Sequence, residues 1–217
     1  MTLDIAVRGF AEQRHPAERA LVSMAVALEG TDKEQVFRDS VEIQEPLAAQ
    51  LQALQDREAV TDWSCDQVRV FSHRPYLPDG SRQALHHVAR IEVRAEFVDF
   101  ERLSGFLDHW SGREGVEITQ VEWDVTAKNR RAHEAEVRKA AVDDAVQKAQ
   151  VYANAVRRGK VTPVQFADPG MLGGAEGAPA PARPMRLAGG GDRGPTFDVT
   201  PARIVITAEV DARFTAD

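Results

Sequence analysis

The residues of this chain that could do chemistry are few and lie far apart in the sequence. Its only cysteine, Cys65, falls in a predicted strand, and no predicted helix N-terminus lies beside it to stabilise a thiolate. A single cysteine also excludes an internal disulfide and a Cys-x-x-Cys metal site. We therefore interpret Cys65 as a structural residue rather than as a nucleophile.

The six histidines are scattered and form no HxxxH or HExxH pair; they are His15, His73, His86, His87, His109 and His133. His86 and His87 are adjacent, so on a strand they point to opposite faces and cannot chelate one ion. A metal site built from His73 and a residue on a neighbouring strand requires the fold to bring the two together. We predict no metal site and no cofactor.

Two further patterns invite a catalytic interpretation and do not support it. Asp143, Asp144, Glu134 and Glu136 are acidic, but neighbouring positions on a helix share a face poorly, so a solvated helix surface is the better interpretation. The segment AGGGDRG at 188–194 lacks the Gly-Lys-Ser/Thr ending of a phosphate loop and opens no helix. There is also no GxSxG nucleophile elbow. We predict that the protein is not an enzyme.

Composition limits the possible partners and location. Of 217 residues, 27 are Lys or Arg and 34 are Asp or Glu, which gives a net charge of −7. An acidic chain without a basic stripe repels phosphate backbones, so nucleic-acid binding is disfavoured. No apolar stretch approaches the length of a membrane span, and the N-terminus has no signal-peptide pattern. We predict a cytoplasmic protein in which residues 1–217 form a single domain.

The elements that must position these side chains follow from hydrophobic periodicity. Alternating apolar residues predict strands near 3–9 and 22–28, paired as a hairpin, and cleaner strands at 89–97 and 204–214. A phase jump near Thr119 or Gln120 predicts a β-bulge. Pro46 interrupts a helical stripe, so the helix either kinks there or restarts. The order ββ-α-ββ-α-β-α-β-loop-β predicts an α+β fold with a largely antiparallel sheet packed with helices.

An alanine-rich segment predicts a helix from about residue 131 to 158, stopped by Gly159. Its apolar face is predicted to carry Val142, Ala145, Val146, Ala149, Tyr152, Ala153 and Val156. Small side chains in such a stripe let the helix backbone approach its neighbour closely. An added side-chain volume at Ala149 is therefore expected to overpack the contact.

Residues 169–197 differ from the rest of the chain, since they hold eight of its fifteen glycines and five prolines. Such a composition predicts a long flexible insertion, and a final strand follows it. The insertion nevertheless carries two apolar pairs, and methionine and leucine adapt well to a partner's groove. The candidate partner-contact residues are Met171, Leu172, Met185 and Leu187.

In order and spacing, these segments together resemble the SIMPL-domain proteins. The stretch IAVRGFAEQRHPAERALVSMAVALEG resembles the family's opening pair of strands. The most specific stretch, AEVRKAAVDDAVQKAQVYANAVRRGKVTPVQF, is similar to the family's helix pattern containing D-A-x-x-K-A. A low-complexity loop before a final P-x-x-I-x-V-x-A-x-V strand also fits. The resemblance covers nearly the whole chain.

The resemblance implies little about activity. The family consists of bacterial proteins of largely unknown function, including periplasmic immunogenic and oxidative-stress-defence proteins, and no family-wide catalytic residues are established for it. Some relatives form oligomers, so the resemblance implies a homo-oligomer. Our first hypothesis is a non-catalytic protein that acts by assembly or by binding a protein partner. The alternatives are a small-ligand-binding or stress-sensing protein with a tryptophan-lined pocket and, ranked last, an unrecognised hydrolase or redox enzyme.

Overall fold

The computed structural model describes residues 2–74, 84–172 and 200–217. Within them lie three helices and eight strands, and every strand pairing is antiparallel. In chain order they are β1 (Leu3–His15), β2 (Arg19–Gly30), α1 (Lys33–Gln55), β3 (Val60–Cys65), β4 (Arg69–His73), β5 (His86–Phe97), α2 (Phe100–Ser111), β6 (Val116–Asp124), α3 (Ala127–Ala155), β7 (Thr162–Ala167) and β8 (Ile204–Ala216). The α+β class and the predicted order are confirmed, except that two short strands, β3 and β4, precede β5 where the predicted order has one.

The chain divides into two compact units. Among the described residues, the first unit comprises 2–16, 125–172 and 203–217, and the second comprises 17–74, 84–124 and 200–202. Whether 1–217 behaves as the single domain expected from the sequence stays a prediction. No helix in the described part of the chain is both long and apolar enough to cross a membrane, and the cytoplasmic location stays a prediction.

The first unit is a three-stranded sheet in the order β1-β8-β7, with α3 packed on it. β1 pairs with β8 along its whole length, from Leu3 opposite Ala216 to His15 opposite Ile204. The predicted hairpin between the first two strands is therefore wrong. The prediction fails because the partner of β1 lies at the other end of the chain, and a local sequence pattern does not indicate so distant a partner.

The second unit is a five-stranded sheet in which β3-β5-β2-β6 follow one another and β4 also pairs with β5. α1 and α2 contribute Leu47, Leu51, Phe106 and Trp110 to a core shared with the inner face of the sheet. α1 runs through Pro46 as one helix, so the alternative of a second helix starting there is wrong. The predicted bulge is confirmed, because the β2–β6 register shifts at Thr119.

α3 begins earlier and ends earlier than the sequence predicts. Its buried stripe is narrower than the predicted face and has a strict four-residue spacing: Val137, Ala141, Ala145, Ala149 and Ala153. Val146, Tyr152 and Val156 are exposed instead. The helix stops before Gly159, because Arg157 takes the left-handed conformation (φ 59°) and the N–H of Arg158 donates to the carbonyl of Ala153.

Candidate functional site

The helix α3 lies unusually close to the edge strand β1. A Cβ atom added at Gly9 would overlap the carbonyl oxygen of Ala141 and lie 2.8 Å from the Cβ of Ala145. Only glycine on the strand and alanine on the helix allow the two backbones to lie this close. The small residues predicted to permit close packing therefore do so, at one defined point of β1.

One turn of α3 closes the free edge of β1 at that point. The carboxylate of Asp144 accepts the backbone N–H of Phe10 at 2.8 Å, and Lys148 donates to the carbonyl oxygen of Arg8 at 3.0 Å. Lys148 and Asp144 also form an ion pair of 2.6 Å. The hydrogen bonds from Lys148 and from Phe10 lower the pKa of Asp144. Backbone groups that a neighbouring strand would otherwise use are thus satisfied by side chains.

The opposite edge of the same sheet carries no such closure among the described residues. Within the described ranges β7 pairs with β8 alone, and its six residues, TPVQFA, include no charged side chain. Val164 is 62% exposed and Phe166 is 43% exposed, although the ring of Phe166 lies edge-on to Phe214 at 5.8 Å. An uncharged edge strand with exposed apolar side chains is a template for pairing with another strand.

The segment directly after β7 is fixed on the outer face of the sheet. The Arg8 guanidinium binds Asp211 through two hydrogen bonds of 2.6 and 3.1 Å, and the same carboxylate accepts the N–H of Gly170 at 2.8 Å. Both contacts lower the pKa of Asp211, that from Arg8 more strongly. Arg213 donates to the carbonyl oxygen of Leu172 at 2.9 Å. The start of the insertion is therefore anchored.

These contacts place two of the four predicted partner-contact residues. Leu172 is half-buried and lines a shallow depression over β1 and β8. Met171 next to it is 74% exposed. Met185 and Leu187 lie outside the described residues. The role of all four as a contact surface stays a prediction.

The cysteine lies in surroundings that disfavour a thiolate. Cys65 is half-buried at the end of β3, and its Sγ lies 3.7 Å from the carbonyl oxygen of Asp66. Burial raises the pKa of the thiol, only partly opposed by a hydrogen bond with Gln44. A raised pKa reduces the thiolate fraction at neutral pH, which is opposite to the activation that a nucleophilic cysteine needs.

Histidines meet in two places. The ring of His15 stacks on that of His133 at 3.5 Å, a contact that sequence reasoning missed because 118 positions separate the two and no pattern links them. In the second unit, His73 lies directly opposite His86 on β4 and β5, and both face Glu29. As predicted, His87 faces away from His86, since its Nδ1 lies 2.8 Å from Ser72 Oγ.

The three tryptophans do not surround a common pocket. Trp110 is buried in the core and donates to Gln50 at 2.8 Å, and Trp123 packs edge-on against Phe100. Trp63 packs against the core and donates from its indole Nε1 to Gln55 of α1 at 3.2 Å, and it also borders a cleft of about 310 Å³ on the outer face of the five-stranded sheet. That cleft is lined mainly by polar and charged side chains of the strands, which differs from the tryptophan-lined pocket between helices and sheet that a ligand-binding role would need.

A comparison with known protein families identifies the family of the chain. The family model SIMPL, described as a protein of unknown function (DUF541), matches residues 5–214. The chain belongs to the SIMPL family. No curated protein matches it.

The structure gives a physical meaning to the SIMPL-like pattern D-A-x-x-K-A in α3. Here the pattern reads Asp144-Ala145-Val146-Gln147-Lys148-Ala149. Its two charged positions close the edge of β1, and its two alanines are buried against the sheet. In this SIMPL chain, the two charged positions of this pattern therefore bind backbone groups at the edge of β1.

Proposed function

We propose that this SIMPL protein acts without catalysis, by self-assembly through the free edge of β7. The observation that carries the proposal is the difference between the two edges of one sheet. Side chains of α3 occupy the backbone groups of β1 around Gly9. β7 lacks such cover among the described residues and exposes Val164 and Phe166.

The composition of β7 favours a second copy of the same chain as the partner. In a two-fold interface the same strand lies on both sides, so any charge near the axis meets its own copy. β7 carries no charge, whereas β1 carries Asp4, Arg8, Glu12 and Arg14. Two β7 strands can therefore lie antiparallel without repulsion and bury Val164 and Phe166 against one another. Met171, four residues after the end of β7, would extend the contact.

A lysine scan of two matched aromatic positions tests this proposal. Phe166→Lys places a charge on the open edge strand, and Phe10→Lys places one on the closed edge strand, at residues of 43% and 46% exposure. Sedimentation equilibrium over micromolar to millimolar chain concentrations should show a dimer or larger assembly for the native chain and for Phe10→Lys. Phe166→Lys should be a monomer, because pairing would bring two like charges together.

Two results would contradict the proposal. A native chain that stays monomeric throughout the concentration range excludes self-assembly. An assembly that both lysine variants retain equally places the interface elsewhere, including on the insertion at 169–197.

The alternative function, binding of a small ligand, is supported by the cleft beside Trp63. Asp62, Arg94, Glu96 and Glu122 line it, so a ligand there would have to match three carboxylates and one guanidinium. A thermal-shift screen with cationic metabolites distinguishes this role, because a ligand that binds only the folded chain raises its melting temperature. Ser64→Trp, which fills the cleft, should abolish any such shift and leave assembly unchanged.

A further inference from the structure

A small depression on the outer face of the second unit takes no part in the proposed assembly. It lies beside the point where β3 ends and β4 begins, has a volume of about 230 Å³ and shares no residue with the cleft beside Trp63. Its lining consists of Asp66, Gln67, Arg69, Phe71, Arg90 and Glu92. Pockets for drug-sized ligands hold about 300–1,000 Å³, so this one has room only for a small molecule.

Two arginines meet in this depression across neighbouring strands. The β4–β5 register places Arg69 directly opposite Arg90, and like charges in directly opposite positions of a sheet are destabilising. Arg90 donates to Glu117 at 3.0 Å. The Arg69 side chain donates to no other described residue, and the carboxylate of Asp66 is 3.9 Å away from it. The guanidinium of Arg69 therefore keeps its donors free for an anionic group.

Two carboxylates and an aromatic ring complete the lining. Asp66 and Glu92 have side chains that are 43% and 44% exposed. The carboxylate of Glu92 accepts only a long hydrogen bond, of 3.4 Å, from Arg94. Phe71 is 53% exposed and lies two residues from Arg69, on the same face of β4. An ion of one sign would be attracted by one pair of charges and repelled by the other, whereas a molecule that carries both signs matches both.

We propose that this depression binds a free α-amino acid with an apolar side chain, represented by L-phenylalanine. The carboxylate of the ligand lies between the guanidiniums of Arg69 and Arg90, and its ammonium group faces the two carboxylates. Its side chain packs on Phe71, in the offset or edge-on contact that aromatic rings prefer. Arginine binds carboxylates through paired hydrogen bonds, and a carboxylate between the two arginines also relieves their mutual repulsion. The site gives the second unit a ligand and does not depend on assembly through β7.

An NMR titration of the full chain with three related probes tests the site. L-Phenylalanine carries both charged groups, phenethylamine lacks the carboxylate, and 3-phenylpropionate lacks the ammonium group. We expect L-phenylalanine to bind with a Kd on the order of 1 mM or below, since so small a ligand forms few contacts. Each of the other two probes should bind at least about tenfold more weakly, because each leaves one pair of charged side chains without its partner.

Single substitutions connect each charged group of the ligand to the residue that binds it. Arg69→Ala should weaken binding of L-phenylalanine by at least about tenfold and leave that of phenethylamine, which has no carboxylate, unchanged. Phe71→Ala should weaken the binding of all three probes. The controls are Arg138→Ala, with a side chain 66% exposed against 77% for Arg69, and Phe37→Ala, at a 45% exposed position. Neither control should change the affinity.

The comparison of the three probes on the native chain remains informative if a variant does not fold. The proposal is wrong if L-phenylalanine does not bind at millimolar concentration. It is also wrong if the three probes bind alike, which would indicate an apolar contact alone. Equal losses for Arg138→Ala and Arg69→Ala would likewise contradict it, since the carboxylate of the ligand would then not be bound in this depression.

Discussion

The two units of this SIMPL chain bury their cores by different means. In the second unit, large side chains such as Phe97, Phe106 and Trp110 fill the space between helices and sheet, and two of the fifteen buried cluster members among its described residues are alanine. In the described part of the first unit, five of the eight buried cluster members are alanine. There the contact depends on backbones that lie close together at Gly9. The second core should therefore be most sensitive to lost volume, and the first to added volume.

Truncation in the second core should have the largest effect. Phe106→Ala removes a fully buried ring that contacts Phe97 and Trp110, and should lower the free energy of unfolding by about 3–5 kcal/mol. Urea titration followed by tryptophan fluorescence measures it, since all three tryptophans lie in the second unit. Phe37→Ala, at a 45% exposed position, is the control. Equal losses for the two variants would refute the dependence on volume.

Adding one methyl group to the first core should cost nearly as much. Gly9→Ala forces a Cβ into the carbonyl of Ala141, so α3 must move away from β1. We expect a loss of about 3 kcal/mol, at the upper end of overpacking effects. Urea titration by far-UV circular dichroism measures it.

Gly105→Ala is the matched control for this substitution. Apart from its chain neighbours and the backbone of its own helix, no atom of the described residues lies within 4 Å of a Cβ built there, and the residue is in the middle of α2. It should stabilise the chain by up to about 1 kcal/mol through helix propensity. If Gly9→Ala is as harmless as Gly105→Ala, the close approach of α3 to β1 does not determine the stability of the first unit.

A larger side chain in the alanine stripe should have an intermediate effect. Ala149→Leu places three extra carbons against the sheet and should destabilise by about 1–3 kcal/mol. Val146→Leu, on the same helix and 37% exposed, should change stability by less than about 0.5 kcal/mol. Urea titration followed by circular dichroism measures the free energy of unfolding of both variants. A tolerated leucine at 149 would show that the helix can move away from the sheet at little cost.

Most of the second unit, but only part of the first, could be predicted from the sequence. Strict alternation in β5 predicts a strand with one buried face, because burial there follows from local pattern alone. The pairing of β1 with β8 joins residues 3–15 to 204–216, and no local pattern encodes such a register. The sequence alone did not reveal Gly9 as a point of contact, since its role depends on a helix more than 130 positions away. The predicted face of α3 was too wide because a close helix buries only a narrow alanine stripe.

The closed edge of β1 should contribute a small, pH-dependent part of the stability. The lowered pKa of Asp144 means that its carboxylate stabilises the folded chain above the ordinary aspartate pKa, and this contribution is lost as the pH falls from about 4 through the lowered value. Because the side chain is about one-third exposed, solvent screening keeps the effect below about 1 kcal/mol. Asp144→Asn should show less acid destabilisation in urea titrations at pH 7 and pH 3.

Asp143→Asn removes the same charge one position away and should retain the full acid dependence of the stability.

The assembly state of the chain gives a second test of the closed edge of β1. If Asp144 and Lys148 prevent pairing along β1, then Asp144→Ala should increase assembly in sedimentation equilibrium, including in a Phe166→Lys background. No increase would mean that the close approach at Gly9 protects this edge without the two charged side chains.

The smallest effect concerns a feature that the two units share. α1 and α3 are both followed, within three residues of their ends, by a non-glycine residue in the left-handed region, Glu58 at φ 58° and Arg157 at φ 59°. In each case the next residue donates its N–H back to the helix, to Leu54 and Ala153 respectively. Glycine would remove a strain of about 1 kcal/mol, partly offset by its greater freedom in the unfolded chain.

We therefore expect Glu58→Gly and Arg157→Gly each to stabilise the chain by about 0.5 kcal/mol. Tryptophan fluorescence in urea measures the first, and circular dichroism measures the second. If both variants gain the same stability, the backbone energetics at the ends of the two helices are the same. The two units would then differ only in how their cores are filled. A loss for Arg157→Gly alone would instead mean that the first unit depends on an arginine contact at the end of α3, in addition to the close approach at Gly9.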